Sequence, residues 1–512
     1  MGKVAGIDNS TAGTTVVVCD SDTGEVLRQG YAPHQVPDGE KPTEIDPQAW
    51  LLSLGEAAKD GVLEGVQAIG ISGQQHGLLA LDAGGVTVRP ALLRGDNRAQ
   101  AQAADLAHEL GGAAGWAEAV GAQPQAAYPV AKLRWLAQHE PAAAKRIAEV
   151  MLPHDWLVWQ LLGQPTRRTT DRGDASGTGY WSAATGEYRK DLVELALGHQ
   201  VALPDVLAPA EPAGQTPEGL LISAGTGDNM AAALGLGLGP GDAVVSLGAA
   251  GTVFAVHHEA LTDPTGTVTA FADATGRHLP VVQVRNAVRT LRGTAELLGT
   301  DLPGLSDLAL QSTPGAYGLV LLPYLEGERT PDLPHTAGTL AGLRRDSMKR
   351  EHLARAAFEG MLCGLADALD VLRNKGVEVR RVFLLGAAAE LPAVQALAPA
   401  LFGTLVVVPP AAEYAAIGAA RQAAWSLGAV LGSQSQSEPP HWPMPGARLL
   451  DPADDEPAEG TGPGGSGPEG SGPGGHGGTG GNGGGGTAVG SAVRAQYIAV
   501  REHTHPGAFA SL

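Results

Sequence analysis

A short acidic loop near the middle of the chain carries the side chain with the clearest capacity for chemistry. Gly225–Asn229 reads Gly-Thr-Gly-Asp-Asn and leads into a run typical of a helix. The Asp228 carboxylate could accept a proton from a hydroxyl group, and Asn229 could hydrogen-bond the same polar ligand. A carboxyl group with an ordinary pKa of about 4 is only a modest base at neutral pH. Asp is also a preferred helix N-cap residue, and a capping role can coexist with the chemical one.

A second polar pair lies in an earlier turn, between two predicted strands. Gln75 and His76 are bracketed by Gly73 and Gly77. Glycines allow a sharp turn and the close approach of a ligand. Gln and His together offer donors and acceptors, which suit a ligand with several hydroxyl groups. An ordinary polar loop is the alternative on local sequence.

Asp8 ends the first apolar run of the chain and enters a turn. On local sequence its carboxylate could close an Asx-turn. The chemical alternative is a carboxylate that holds Mg²⁺, usually through water, beside a phosphate group. Two other charged pairs, His154-Asp155 and Asp171-Arg172, are assigned structural roles.

The elements that must position these side chains alternate along the chain. Short apolar runs predict strands, and runs with helical periodicity predict helices. Such alternation indicates an α/β fold. The predicted strands cover residues 4–7, 14–18, 66–71 and 78–81, and the predicted helices cover 97–110, 129–138 and 156–162.

A weak internal repeat refines this fold prediction. Val4–Val18 reads as a strand, a turn of small residues and a second strand, and Ala243–Val256 repeats the same plan in the second half of the chain. Although hairpins with glycine are common, two such hairpins favour a two-lobed actin-like (ribonuclease H-like) ATPase fold of the α/β class. In that fold a ligand cleft lies between the lobes, and phosphates lie between the two hairpins.

Composition limits the classes of partner. The 512 residues exceed one ordinary domain, and 43% of them are hydrophobic, which is enough for two cores. With only 4% aromatic residues, those cores must be rich in Ala, Val and Leu. A net charge of −20 argues against nucleic acid and membrane surfaces as partners. A local phosphate site stays compatible, because backbone N–H groups bind anions whatever the global charge.

Cysteine usage and the N-terminus indicate a cytoplasmic protein. Cys19 and Cys363 each stand in an apolar run, which fits buried free thiols in a reducing compartment. The first residues lack the apolar core of a signal peptide, and no uncharged stretch approaches the length of a membrane span.

The predicted organisation has four parts. An N-terminal lobe would cover residues 1–240, and a C-terminal lobe would cover 241–435. Residues 454–486 are low in complexity and rich in Gly, so they are predicted to be a disordered insertion. Val493, Tyr497, Ile498 and Val500 stand close to helical spacing and predict a terminal helix over 490–504.

Sequence motifs narrow the class of protein further. No Walker A sequence occurs, and Gly-x-Gly-x-x-Gly matches lie only in the Gly-rich segment, so P-loop and Rossmann folds lose their main support. Five segments instead resemble, in order, motifs of the FGGY family of carbohydrate kinases, and specifically its bacterial, actinobacterial-like xylulokinases. They are the phosphate hairpin Gly6–Thr14, the sugar-binding turn Gly73–Gly77, a xylulokinase-type stretch Thr170–Trp181, the catalytic loop Gly225–Asn229 and the second-lobe signature Leu322–Pro331.

The resemblance implies phosphorylation of D-xylulose to D-xylulose 5-phosphate with ATP and Mg²⁺. Asp228 would accept the proton of the attacking hydroxyl and would bind the sugar together with Gln75, His76 and Asn229. On the nucleotide side, the resemblance implies binding by six residues, of which Asp8 would also hold Mg²⁺: Asp8, Thr11, Thr14, Gly251, Thr252 and Gly386.

The departures from the family pattern cluster near the expected ATP site. Thr15 stands where the family usually has Lys or Arg, and Gly248–Thr252 has two Ala residues in place of Thr and Ser. Gly386–Ala389 has Ala where the family has Gly, and a Cβ there would obstruct a close ligand or resist positive φ. Arg94–Arg98 reads Arg-Gly-Asp-Asn-Arg in place of Trp-Asn-Asp-Thr-Arg. Losing one preorganised group typically costs about 10²–10³ in rate.

Two alternatives therefore stay open beside an active xylulokinase. The first is a homologue that binds sugar without efficient ATP turnover, and the second is an FGGY kinase for a different pentulose or polyol. The sequence does not fix an oligomeric state, and a homodimer is left open.

Overall fold

The computed structural model describes residues 2–35, 43–432, 437–452 and 485–509. Over these ranges the chain forms two lobes, and each lobe contains a seven-stranded sheet. The predicted Gly-rich insertion at 454–486 lies outside the described residues up to residue 484.

The first lobe consists of strands and helices up to Gly235. Its strands are β1 (Lys3–Asn9), β2 (Gly13–Asp20), β3 (Val26–Pro33), β4 (Glu44–Ile45), β5 (Val66–Gly73), β6 (Leu79–Leu81), β7 (Ala91–Leu92), β8 (Glu149–Met151), β9 (Thr169–Asp171), β10 (Trp181–Ser182), β11 (Glu187–Tyr188), β12 (Asp205–Leu207), β13 (Pro212–Gln215), β14 (Leu221–Ser223) and β15 (Thr226–Gly227). Its helices are α1 (Gln48–Ala57), α2 (Gln100–Glu109), α3 (Gly112–Val120), α4 (Pro129–His139), α5 (Pro141–Ala144), α6 (Pro153–Leu161), α7 (Arg172–Ala175), α8 (Lys190–Leu197) and α9 (Asp228–Gly235).

The second lobe begins with a new hairpin. Its strands are β16 (Gly241–Leu247), β17 (Gly251–Ala255), β18 (Thr269–Ala272), β19 (His278–Val284), β20 (Val320–Leu322), β21 (Thr339–Ala341), β22 (Val379–Leu385), β23 (Leu405–Val408) and β24 (Arg448–Leu450). The remaining helices are α10 (Val288–Leu298), α11 (Leu302–Leu310), α12 (Arg350–Asn374), α13 (Pro392–Phe402), α14 (Tyr414–Leu431) and α15 (Gly485–Thr504). Short 3₁₀ turns cover Ala316–Gly318 and Ala387–Glu390.

The two large sheets share one plan. In the first, β1 pairs antiparallel with β2 and parallel with β5. In the second, β16 pairs antiparallel with β17 and parallel with β22. The repeat seen in the sequence is therefore also a repeat of strand topology. Both hairpins are Val-rich and buried on both faces, as expected for strands covered by helices on each side.

Helix α14 packs on the sheet of the first lobe, although its sequence falls in the range predicted for the second. Ala416, Ala420 and Ala423 lie against Val4 and Val17. The approach is close enough that a Cβ on Gly6 would overlap the backbone oxygen of Ala416. The small residues of both elements permit this contact, and the chain crosses back to the first lobe there.

Helix α15 completes the core of the second lobe. It starts at Gly485, whereas the predicted range was 490–504, and it packs on α12 and α13. Val493 and Tyr497 are buried, as the spacing of apolar residues indicates. The buried carboxylate of Asp367 on α12 pairs with Arg494 at 3.0 Å and with Arg501 at 2.6 Å. Burial of this charge is offset by two guanidinium partners.

Among the described residues, every helix is too short or too polar to traverse a lipid bilayer. Cys19 and Cys363 are both buried and free.

Candidate active site

A polar cavity of about 850 Å³ lies between the lobes. The first lobe lines it with Gln75, His76 and Asn229, and the second lobe contributes Thr252 and Arg329. Three of the four predicted sugar-binding residues, Gln75, His76 and Asn229, therefore meet in one space, and Thr252 of the second hairpin borders the same space.

Gln75 and Asn229 join the sugar-binding turn to the catalytic loop. Asn229 Nδ2 donates to Gln75 Oε1 at 2.7 Å, which fixes the orientation of both amides. Gln75 is fully buried, and its Nε2 has no hydrogen-bond partner within the described parts of the chain. An unpaired donor in a buried wall is costly unless a ligand satisfies it. A ligand hydroxyl would fill that role.

His76 is held as a neutral ring at the base of the cavity. It adopts a positive φ of 67°, which is uncommon for a residue with a Cβ and is typical of functional turns. Burial and then the charge of Arg94 lower the pKa of His76 to about 3. Its Nδ1 lies 2.9 Å from the carbonyl of Gly177. Because a neutral ring must donate from Nδ1 there, Nε2 is left as an acceptor.

Lys132 connects two segments of the cavity wall through buried hydrogen bonds. Its fully buried ammonium group donates to the carbonyl of His76 at 2.6 Å and to that of Leu93 at 2.8 Å. Burial lowers the pKa of Lys132 to about 7. The Lys132 side chain thus fixes the turn that carries His76 relative to the segment that carries Arg94.

Asp228 is the first residue of α9, and Gly227 is the N-cap, so the predicted capping role is wrong. The Asp228 carboxylate instead accepts hydrogen bonds from a neighbouring backbone N–H and from an arginine. Oδ1 accepts from the backbone N–H of Asn229 at 2.8 Å, and Arg94 Nη2 donates to Oδ1 at 2.7 Å and to Oδ2 at 2.5 Å. The carboxylate is thus held between the start of α9 and Arg94, and Arg94 lines the cavity.

Asp8 lies at the end of β1, half-buried, and accepts a 2.9 Å hydrogen bond from Ser72 Oγ. Burial and the charges of Asp228 and Glu413 raise the pKa of Asp8 to about 7, against the opposing effects of Ser72 and Arg94. Asp8, Asp228 and Glu413 thus form a region of repelling carboxylates. Such a region favours a proton or a bound cation.

The two threonines predicted to bind nucleotide in the first hairpin differ in their exposure to solvent. Thr11 is exposed at the tip, whereas Thr14 is fully buried. The Thr14 hydroxyl lies 2.8 Å from Ser53 Oγ on α1, which in turn lies 2.9 Å from His34 Nδ1. The Thr14 side chain therefore faces the interior of the lobe, and its backbone lies within the sheet, paired with β1 and β3.

A second cavity of about 740 Å³ lies beside the predicted adenosine turn. Gly386, Ala387 and Glu413 line it, together with Val17 of the first lobe. Gly386 has φ of 97°, and a Cβ there would lie 2.6 Å from the backbone oxygen of Leu247. This glycine therefore allows the turn to pass close to the second hairpin.

The alanines that follow Gly386 are accommodated without positive φ. Gly386 has positive φ, and Ala387–Glu390 forms a 3₁₀ turn. Ala388 and Ala389 are buried in the core of the second lobe. The expected resistance to positive φ is thus absent, because these three alanines do not adopt it. Gly251 is likewise packed inward, against Leu365.

Beneath both polar turns lies a buried cluster of one histidine and three carboxylates. His154 Nδ1 lies 2.8 Å from Asp174, and Nε2 lies 3.1 Å from Asp155 and 3.7 Å from Asp171. Burial opposes protonation, but the three carboxylates raise the pKa of His154 to about 9. A Cβ on Gly225 would collide with this ring. The cluster supports the loop that carries Asp228 and does not line the cavity.

Two site residues were missed by sequence reasoning. Arg94 was interpreted only as the loss of a tryptophan, and Lys132 was part of a predicted helix without an assigned role. A lysine among the buried residues Val130, Ala131 and Leu133 is the signal that could have revealed the second.

Two lobes with repeated hairpins, and polar cavities between them, define a phosphotransferase of the actin-like ATPase class. The chain belongs to the FGGY family of carbohydrate kinases, because the model of the family's N-terminal domain matches residues 3–235 and that of its C-terminal domain matches residues 243–427.

Curated relatives and a solved structure are consistent with this family assignment. The chain is 42% identical to the xylulose kinase of Streptomyces coelicolor over 459 residues, which cover 88% of this chain and 92% of the relative. It is 44% identical to the xylulose kinase of Streptomyces rubiginosus over 444 residues, covering 83% and 88%. The crystal structure of xylulose kinase from Bifidobacterium adolescentis superposes with a TM-score of 0.81 at 39% identity, covering 87% of this chain and 96% of that one.

Proposed function

We propose that this protein catalyses the reaction D-xylulose + ATP → D-xylulose 5-phosphate + ADP. The observation that carries the proposal is the position of the Asp228 carboxylate. It bonds Arg94 and the backbone of Asn229, which line the inter-lobe cavity with Gln75 and His76, and it acts electrostatically on Asp8 of the phosphate hairpin. Its xylulose kinase relatives support the choice of sugar.

The sugar would lie against the polar wall of the 850 Å³ cavity. Gln75 Nε2 would donate to one hydroxyl oxygen, and His76 Nε2 would accept from another. Asn229, already oriented by Gln75, would contribute its remaining hydrogen-bonding capacity. These groups are preorganised by buried hydrogen bonds, so little ordering is needed when the sugar binds.

In the transfer step, the C5 hydroxyl oxygen of the sugar attacks the γ-phosphorus of ATP. The bond from that phosphorus to the bridging oxygen breaks, and its electron pair leaves with ADP. The hydroxyl proton passes to Asp228. Because such transition states are loose, alignment of the hydroxyl is a large part of the carboxylate's role.

The proposed ATP site has its phosphates between the β1–β2 and β16–β17 turns and its adenosine in the 740 Å³ cavity beside Gly386. Thr11, Gly251 and Thr252 would offer backbone N–H groups or hydroxyls to the phosphates, and Thr14 would support the turn from inside the lobe. These donors do not depend on the Ser and Thr hydroxyls that Ala249 and Ala250 lack.

Asp8 is the proposed protein ligand of Mg²⁺, directly or through water. Burial, and then the charges of Asp228 and Glu413, raise the pKa of Asp8, and a bound cation would offset that negative charge. Within the described ranges, no group of three or more His, Cys, Asp and Glu side chains is arranged around a metal. The remaining ligands would therefore be water and phosphate oxygens, as is usual for Mg²⁺. The bound ion would neutralise charge that develops on the phosphates.

The decisive experiment is a coupled assay of ADP release by the purified protein with D-xylulose and MgATP. We expect xylulose-dependent turnover that exceeds the rate with other pentuloses and polyols in a substrate panel. No turnover, together with retained xylulose binding in calorimetry, would contradict the proposal and favour a sugar-binding homologue. That alternative is supported by the absence of Lys and Arg from both phosphate-facing turns. Faster turnover with another sugar would reassign the substrate.

The reaction is proposed to occur in the cytoplasm, since two buried free thiols suit a reducing compartment. A homodimer stays a separate hypothesis, and the catalytic groups described above all come from one chain.

Asp8→Asn should change how stability depends on pH. The folded-state pKa of Asp8 is about 7, and in unfolded chains Asp has a pKa of about 3.9. Between these two pKa values the folded state keeps a proton on Asp8 that the unfolded state has lost. Ionisation of Asp8 therefore destabilises the folded protein progressively as pH rises from about 4 to 7. The melting temperature of Asp8→Asn relative to wild type should rise over that window, because the amide cannot ionise.

Thermal melts at pH 4 to 8, without and with MgATP, measure this effect. Asp105→Asn, at an exposed position on α2, is the matched control and should give a flat difference. With MgATP at pH 8 the order should reverse, since wild type alone retains the proposed metal ligand. A pH-independent difference for Asp8→Asn would contradict the assigned electrostatics.

A further inference from the structure

The phosphate-facing turns of this chain supply no cation. Residues 9–15 and 247–252 contain neither Lys nor Arg. Asp8, Asp228 and Glu413 add negative charge to the same region. A transferred phosphoryl group carries further negative charge on its equatorial oxygens. Some positively charged side chain must therefore balance this region if transfer is to be efficient.

Arg94 is placed to do so. It lines the inter-lobe cavity, and its side chain is 39% exposed. Only Nη2 of its guanidinium is used, because it donates to both oxygens of Asp228. Within the described residues Nε and Nη1 have no hydrogen-bond partner, so they are available to an anionic ligand. A guanidinium with free N–H groups matches phosphate oxygens well.

The backbone around Arg94 is fixed by buried contacts. The carbonyl of the preceding residue, Leu93, accepts from the ammonium group of Lys132. The backbone N–H of Arg94 lies 3.5 Å from Gln74 Oε1 in the sugar-binding turn. The guanidinium also acts electrostatically on both Asp8 and His76, so it lies within range of the phosphate hairpin and of the sugar wall.

We propose that Arg94 contacts the phosphoryl group during transfer and compensates its charge, a role that rests on the function proposed above. The guanidinium pairs with Asp228 and keeps that carboxylate aligned. During transfer the Arg94 N–H groups donate to the equatorial oxygens of the migrating group. The proton of the sugar hydroxyl still passes to Asp228, and Arg94 stays protonated throughout.

The test compares Arg94→Ala, Arg94→Lys and the double variant Arg94→Ala/Thr15→Arg. Thr15 is the cross-strand partner of Asp8, so an arginine there restores a cation at the phosphate hairpin. Arg94→Ala should lower kcat by about 10²–10³ while calorimetric binding of D-xylulose changes less than threefold. Arg94→Lys should retain more activity than Arg94→Ala, and the double variant should recover at least tenfold over Arg94→Ala.

Arg134→Ala is the matched control, because this arginine of the same lobe pairs with Glu109 away from the cavity. Its kcat should stay within threefold of wild type, and melting curves establish that every variant is folded. A kcat of Arg94→Ala equal to or above that of wild type would overturn the inference, since the arginine would then only restrain Asp228. A loss of xylulose binding that matches the loss of kcat would overturn it too. An inert wild-type protein would overturn the proposed function itself, and this inference with it.

Discussion

Asp228→Ala should reduce xylulose-dependent phosphoryl transfer by at least about 10³-fold without unfolding the protein. The carboxylate is the proposed acceptor of the hydroxyl proton. Within the described residues, no other carboxylate accepts hydrogen bonds from both Asn229 and Arg94. Removing it also leaves Arg94 unpaired at the cavity edge. Steady-state kcat with D-xylulose and MgATP measures the effect, and a residual activity above one tenth of wild type would remove the assigned role.

The control for this variant is Asp301→Ala. Asp301 also begins a helix, and it is a true N-cap, since its carboxylate accepts from the backbone N–H of Gly304 at 2.9 Å. Its loss should lower the free energy of unfolding by about 0.5–2 kcal/mol. Turnover should stay unchanged. The pair of variants therefore separates a chemical role from a helix-terminal role.

Gly6→Ala should lower the free energy of unfolding by about 3 kcal/mol, because the structure has no space for the added methyl group. Its Cβ would overlap the backbone oxygen of Ala416 on α14. Relief requires β1 and α14 to move apart, which would open the contact between Val4, Val17 and the alanines of the helix. Chemical denaturation measures the free energy of unfolding.

Gly55→Ala is the corresponding control. Gly55 lies inside α1, is exposed, and has no atom within 4 Å of its ideal Cβ position. Alanine there should stabilise the helix by about 0.5–1 kcal/mol. If both glycine variants gave similar small changes, the close packing of α14 on β1 would be contradicted.

Local sequence patterns were sufficient for the hairpins, whereas the convergence of Gln75, His76 and Asn229 was predicted from the family resemblance. Each of these residues follows a strand or starts a helix at the same edge of the first sheet, so the topology brings them together. Strand alternation could also have shown that Thr14 faces inward. It shares a strand face with Val16 and Val18, which are buried in the core beneath α1.

Other features depend on tertiary contacts that no local pattern encodes. The sequence shows an arginine at position 94 but not that its partner is Asp228, which is distant along the chain. Lys132 looks like a surface residue of a helix until three buried carbonyls are found around its ammonium group. The alanine-rich sequence of α14 fits a helix in either lobe, and only the glycines of β1 and β5 specify where it packs.

The crossing of α14 has a consequence for the order of folding during synthesis. The first 240 residues leave the ribosome with one face of β1 and β5 uncovered, because its cover is residues 414–431. The core of the second lobe is also incomplete until α15 has been synthesised, because Val493 and Tyr497 of this helix belong to that core. Each lobe therefore emerges with part of its core uncovered, so the nascent chain must keep apolar surface protected until α14 and α15 have been synthesised.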